Sequence, residues 1–237
     1  MMLRKLSPYL TVVTVVLLAV LLLQMNTLSN TLEGLTGGAI EDSGSDSDSV
    51  AAAAPSGDDD TVEETEAIEV DIEDDSILWG NPDTAKVLIV EFSDYECPYC
   101  SKAVPTIEAL EEEYGDDIAV VFKDFPLSFH ANAQISAEAA ECADEQGMFV
   151  EYHDTLFDNQ GALGEDSLIG YAEDLGLDVD DFTECLTTNA MADEVEGDYN
   201  DGVAAGVRGT PGFIVAGELV SGAQPQSVFE SIIDQYI

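Results

Sequence analysis

Cys97 and Cys100 stand three apart, after an apolar run and before a helix-forming stretch. In Val87-Leu88-Ile89-Val90-Glu91-Phe92-Ser93-Asp94-Tyr95-Glu96-Cys97-Pro98-Tyr99-Cys100 the β-branched segment predicts a buried strand. The handover to a helix puts Cys97 at the first helical turn. There, unpaired N–H groups and the positive end of the helix dipole stabilise a thiolate. Pro98 suits the first helical position, because its missing N–H has no partner there anyway. Two thiols on one turn can close a small disulfide, with Cys97 exposed and Cys100 facing inward. The chemistry is thiol–disulfide exchange. Cys97 attacks a substrate disulfide or, once oxidised, is attacked by a substrate thiol; Cys100 resolves the mixed disulfide. An inert disulfide and half of a metal site are the competing readings, and the helix-start position argues against inertness.

Glu91 alternates into the core of a strand whose other members are apolar. A buried carboxyl is costly unless paired, so its pKa should rise, which suits a proton acceptor and donor for Cys100 relayed by water. A strand-edge acid in an acid-rich chain is the alternative. Zinc or copper binding by His130 and His153 with the cysteines is disfavoured, since no second C-x-x-C or H-x-x-H is present, and both histidines are expected at a helix surface or cap.

The positioning elements follow from periodicity. A helix from Pro98 to about Tyr114 places Ala103, Ile107, Leu110 and Tyr114 on one face. Ile118 to Phe122 forms the next strand, and the resulting βαβ unit is predicted parallel and right-handed. Residues 128–205 read as helices at 131–146, 148–158, 166–175, 180–187 and 190–204, broken at Gly161, Gly164 and Gly176. Strand signals return at Phe213 to Ala216, followed by a Gly217-Glu218 hairpin and Leu219-Val220. Pro225 opens the last helix, whose Val228, Phe229, Ile232, Ile233 and Tyr236 face the sheet.

Residues 86 to 237 resemble the thioredoxin superfamily, and within it the DsbA-like thiol–disulfide oxidoreductases. The match rests on the strand and C-x-x-C, on Glu91 six residues before Cys97, and on Pro105 eight residues after it. Arg208-Gly209-Thr210-Pro211-Gly212-Phe213 is similar to the family's cis-proline loop. The resemblance implies an α/β thioredoxin fold, core 77–127 and 206–237, split by a helical insertion over 128–205. It implies a cis Thr210-Pro211 bond packed against the cysteine pair, leaving the Thr210 backbone to pair with an extended substrate strand; a trans-proline turn is the competing reading. It also implies that Lys123, ending the neighbouring strand, interacts with Glu91. Pro98-Tyr99 tunes the pair; Pro-Tyr is the glutaredoxin dipeptide and also occurs among DsbA-like proteins. Its polarisable ring and hydroxyl point to an intermediate to oxidising poise. Thr210 in place of valine resembles isomerase-type loops. Some DsbA-like proteins carry a second disulfide in the insertion. Between Cys142 and Cys185, 43 apart, it would stabilise by about 4 kcal/mol on the chain-entropy model; two buried free thiols are the alternative.

The 237 residues carry a net charge of −44, from 50 acidic and 6 basic side chains. Residues 1–76 hold 16 of those acids, leaving 34 against four basic residues, so the charge is not confined to one tail. Such a surface repels itself in ordinary salt, whereas the screening length at molar salt is roughly 3 Å. The composition reads as halophilic. Nucleic acid is excluded as a partner, because phosphate binding needs clustered Lys and Arg. Arg4 and Lys5 precede an uncharged stretch from Leu6 to Leu32 that approaches the roughly 20 residues needed to cross a bilayer. Residues 1–32 are therefore expected to be a membrane anchor with the N-terminus in the cytoplasm, or a cleaved signal sequence. Residues 33–76, rich in Asp, Glu, Ser, Gly and Ala, are expected to be a disordered acidic tether to the 77–237 domain. The function expected is extracytoplasmic disulfide formation in exported proteins, with reoxidation by a membrane redox partner and no cofactor or metal. A reductase or isomerase of the same fold is the nearest alternative. A non-catalytic C-x-x-C metal-binding or chaperone module is the more distant one.

Overall fold

The computed structural model describes residues 67–72 and 77–237. At its centre lies β2 (Val87–Ser93), of which only Leu88 is not fully buried. It pairs in parallel with β3 (Ile118–Asp124), a strand buried along its whole length. Near-continuous apolar runs of this kind belong to strands covered on both faces. The sheet is completed by a short edge strand β1 (Ile77–Trp79) and by β4 (Gly212–Val215) and β5 (Glu218–Ser221). The order is β1-β3-β2-β4-β5, with only the β2–β3 pair parallel.

Helix α1 (Pro98–Tyr114) connects β2 to β3, with Pro105 inside it. Its Ala103, Ile107 and Leu110 pack with Val87, Ile89 and Phe213 on one face of the sheet. The closing helix α7 (Gln226–Ile233) adds Phe229 and Ile233 to the same layer. Between β3 and β4 come five helices: α2 (Ala133–Asp144), α3 (Phe149–Asp158), α4 (Glu165–Leu175), α5 (Val179–Thr187) and α6 (Ala192–Ala204). A Cys142–Cys185 disulfide, with Cα atoms 5.9 Å apart, joins α2 to α5. Helix α6 returns to the opposite face of the sheet, and Gly202 allows the close approach. A Cβ there would lie 2.7 Å from the Phe125 ring and 2.8 Å from the Phe92 ring.

Two expectations change. Residues 67–72, expected to belong to the tether, pack on the sheet: Ile68, Val70 and Ile72 cover Val90, Phe92 and Ile214, and Ile68 N–H donates to the Gly217 carbonyl (2.9 Å). The cause is the alternation of these three apolar residues with Glu69 and Asp71, the period of a half-buried extended strand. The rest of that tether and the expected anchor lie outside the described residues. Among the described residues no helix is long and apolar enough to cross a membrane. His153, expected at a helix surface or cap, is buried, its ring 4.9–5.9 Å from those of Tyr95, Phe122, Phe149 and Phe157. It belongs to the apolar stripe of α3, and desolvation lowers its pKa, favouring a neutral ring.

Candidate active site

Cys97 is the N-cap of α1, and Pro98 opens the helix. The turn before it is built by Asp94. One carboxylate oxygen accepts from the Glu96 N–H (2.8 Å) and the other from the Leu127 N–H (2.8 Å), while His130 Nδ1 lies 2.8 Å from the latter. Glu96 in turn accepts from the Asn132 N–H. The turn is thereby fixed to the loop that leaves β3.

Cys97 and Cys100 are both free thiols. Cys97 is 3% exposed, not open to solvent as the sequence suggested. The cover comes from parts of the chain remote in sequence. Its Sγ lies 3.5 Å from the Thr210 carbonyl oxygen, beside the Thr210-Pro211 bond, which is cis. The Cys97 thiol has its pKa lowered to about 5, chiefly by a hydrogen bond from the Cys100 thiol, with Thr210 and the N–H groups of Tyr99 and Cys100 adding to it against desolvation. Cys100 has no exposure and goes the other way: burial and the neighbouring Cys97 raise its pKa far above that of an ordinary thiol. One sulfur is held as thiolate, the other as thiol. Tyr99 is exposed and carries the Lys102 ammonium 4.8 Å from its ring centroid.

Glu91 is 3% exposed, and its pKa is raised to about 7 by desolvation and by the Glu111 carboxylate, with Ser93 opposing. Lys123 does not accompany it. The register pairs Glu91 with Phe122 and Phe92 with Lys123, so the Glu91 and Lys123 side chains leave opposite faces of the sheet. Lys123 is buried against α6, its Nζ 2.9 Å from Asp198 and 3.0 Å from Asp201. The expected Glu91–Lys123 interaction is replaced by this ion pair.

Sequence reasoning missed three groups. Gln160, in the loop after α3, donates from Nε2 to the carbonyls of Tyr95 (2.7 Å) and Cys97 (2.9 Å), clamping the helical insertion onto the nucleophile's turn. Nothing local marks it. Asp94 was legible as an Asx-turn residue beside the cysteines. Ser93, wholly buried on the Glu91 face of β2, carries no local signal of a role either. Among the described residues no group of three or more His, Cys, Asp or Glu side chains is arranged to hold a metal.

A family model described as thioredoxin matches residues 73–235. Among curated proteins, the Na(+)/H(+) antiporter NhaA of Herminiimonas arsenicoxydans is 37% identical over 153 residues, 65% of this chain and 24% of the antiporter. Na(+)/H(+) antiporter NhaA 1 of Salinispora arenicola is 42% identical over 137 residues, 57% and 21% of the two chains. The chain thus spans about a quarter of the length of the curated relatives it matches. Among solved structures, a thioredoxin-like oxidoreductase from Silicibacter pomeroyi superposes with TM-score 0.62 at 27% identity, over 68% of this chain and 91% of that one. The oxidised BdbD of Bacillus subtilis gives 0.64 at 21%, over 72% and 96%. The thiol-disulfide exchange protein alpha-DsbA2 of Wolbachia pipientis gives 0.60 at 24%, over 66% and 84%.

Proposed function

The chain belongs to the thioredoxin family, and from that premise we propose that it is a DsbA-like thiol–disulfide oxidoreductase acting as an oxidant, forming disulfides in exported proteins outside the cytoplasm. The observation that carries this direction is the opposed pair of thiol pKa values at Cys97 and Cys100. A stabilised Cys97 thiolate favours the reduced dithiol, and a stable reduced form makes its disulfide a stronger oxidant. Cys97 is the nucleophile, Cys100 the resolving thiol and Glu91 the proton acceptor and donor for Cys100. Pro98 and Tyr99 set the poise, and the Thr210-Pro211 loop holds an extended substrate backbone beside the sulfur. Equilibration with glutathione at molar salt tests the direction. A potential well above thioredoxin's, about −270 mV, is expected; a value at or below it would make the protein a reductase.

Residues 1–32 would anchor the protein in a membrane, and a membrane redox partner would restore the Cys97–Cys100 disulfide. The surface supports work in concentrated salt. Half-buried Glu111 has its pKa raised to about 7 by desolvation and by the neighbouring carboxylates Glu108 and Asp154, the kind of repulsion that counter-ions relieve. Dilution from molar to millimolar salt is expected to unfold the domain. Far-ultraviolet circular dichroism that stays the same across that range would count against the halophilic reading.

A further inference from the structure

A cavity of about 170 Å³ opens beside Glu91, between α1, α3 and β1. Its polar wall consists of Glu91, Glu108, Glu111, His153 and Asp154, with Trp79 and other apolar groups completing it. A water needs about 10–15 Å³ and two or more polar partners, so this space has room for several. Ser93, two residues on from Glu91, shares its face of β2 and has no exposure. Its Oγ makes no hydrogen bond of good geometry. It nevertheless lies near enough to both the Cys100 thiol and the Glu91 carboxyl to favour the charged form of each.

We propose that Ser93, Glu91 and this cavity form the proton route of the site, in which the Ser93 hydroxyl links Cys100 to Glu91 and Glu111 is the positioning residue through which Glu91 exchanges with solvent. The inference rests on the oxidoreductase reading above and says how its resolving sulfur is supplied with a proton.

The steps balance. A substrate thiolate attacks Cys97 Sγ, the substrate–Cys97 bond forms, and the Cys97–Cys100 bond breaks with its electron pair on Cys100. Glu91 gives its proton through Ser93 Oγ to the Cys100 sulfur and is reprotonated from cavity water. A second substrate thiolate then attacks the substrate sulfur and expels Cys97 as a thiolate. The substrate dithiol is oxidised to a disulfide and the protein disulfide is reduced. In reverse, Cys100 loses its proton along the same route and closes on Cys97.

The groups facing Glu91 fit this use. From α1 come Cys100, Glu108 and Glu111, and from α3 come Asp154 and a His153 ring that burial keeps neutral. Tyr95, at the end of β2, has its hydroxyl pKa raised by burial and stays protonated. The β1 and β3 neighbours, Leu78, Trp79 and Phe122, carry no charge. A carboxyl poised near neutrality between a buried thiol and a wet cavity passes protons in either direction.

The test uses reduced full-length protein mixed with oxidised glutathione at molar salt. Mass spectrometry after acid quench separates glutathionylation of Cys97 from its release by Cys100. In the unmodified protein, release should rise with pH around a midpoint near 7, as Glu91 becomes able to accept the proton. Glu111→Gln removes a negative neighbour, so that midpoint should fall by about 0.5–1 pH unit. Ser93→Ala should lower the release plateau about tenfold or more, and Ser93→Thr should restore it. Glutathionylation of Cys97 should keep its rate in all three variants. An unmoved midpoint in Glu111→Gln, or an unmoved plateau in Ser93→Ala, overturns the route and leaves the parent function standing. Failure of Cys97 in the unmodified protein to glutathionylate at all would instead remove the parent function.

Discussion

Replacing Cys97 by serine is expected to abolish dithiol exchange, lowering both insulin reduction and peptide-thiol oxidation at least about 1,000-fold, the scale seen when a sole nucleophile is lost. Cys100→Ser should instead accumulate a Cys97 mixed disulfide, because attack survives and resolution does not. The reduced protein also carries a pH signature. An ordinary thiol ionises near pH 8.5, whereas Cys97 does so near pH 5. Iodoacetamide labelling of Cys97 should therefore climb between about pH 4 and 6 and level off by neutrality, with Cys100 untouched. The linkage has a definite sign. A thiol whose folded pKa lies below its unfolded one stabilises the reduced fold fully above the unfolded value. That contribution is lost as pH falls through the folded value, near 5. Labelling that rose only above pH 8 would show that the site lacks its thiolate.

The second large effect concerns Lys123. Its ammonium and the Asp198 carboxylate are 4% and 7% exposed, and the Asp198 carboxylate also accepts the Asp124 N–H at 2.8 Å. Removing one partner of a buried pair leaves an uncompensated charge, which costs about 3–5 kcal/mol. Lys123→Met should therefore lower the urea midpoint sharply with little change in slope. Molar salt will not rescue it, since buried pairs are screened far less than surface ones. A loss below about 1 kcal/mol would mean that the pair does not hold α6 to the sheet.

Much of this was legible in the sequence because the signals were local. Val87 to Phe92 reads as strand, Pro98 as a helix start, and Glu91 as inward-facing, each from its own neighbours. Lys123 misled for a physical reason. Every residue of β3 is buried, so the strand shows no alternation from which to tell its faces apart. Only the one-residue offset in register with β2 reveals that Lys123 and Glu91 point apart. His153 was readable after all. With Phe149, Tyr152, Leu156 and Phe157 it follows the spacing of one helical face, and that face is buried. Ile68, Val70 and Ile72 alternate just as clearly, but they were submerged in an acidic composition. Gln160 could not have been found, because its contacts lie 63 and 65 residues away in the chain.

The covering of the nucleophile decides which clients it can serve. With 3% of Cys97 meeting solvent beneath the Thr210 loop, a client must thread a slender, uncoiled length of chain into the cleft to bring its own sulfur within bonding range. Under the proposed function a slack, unfolded segment would meet that demand, whereas a folded client with its sulfurs buried would not.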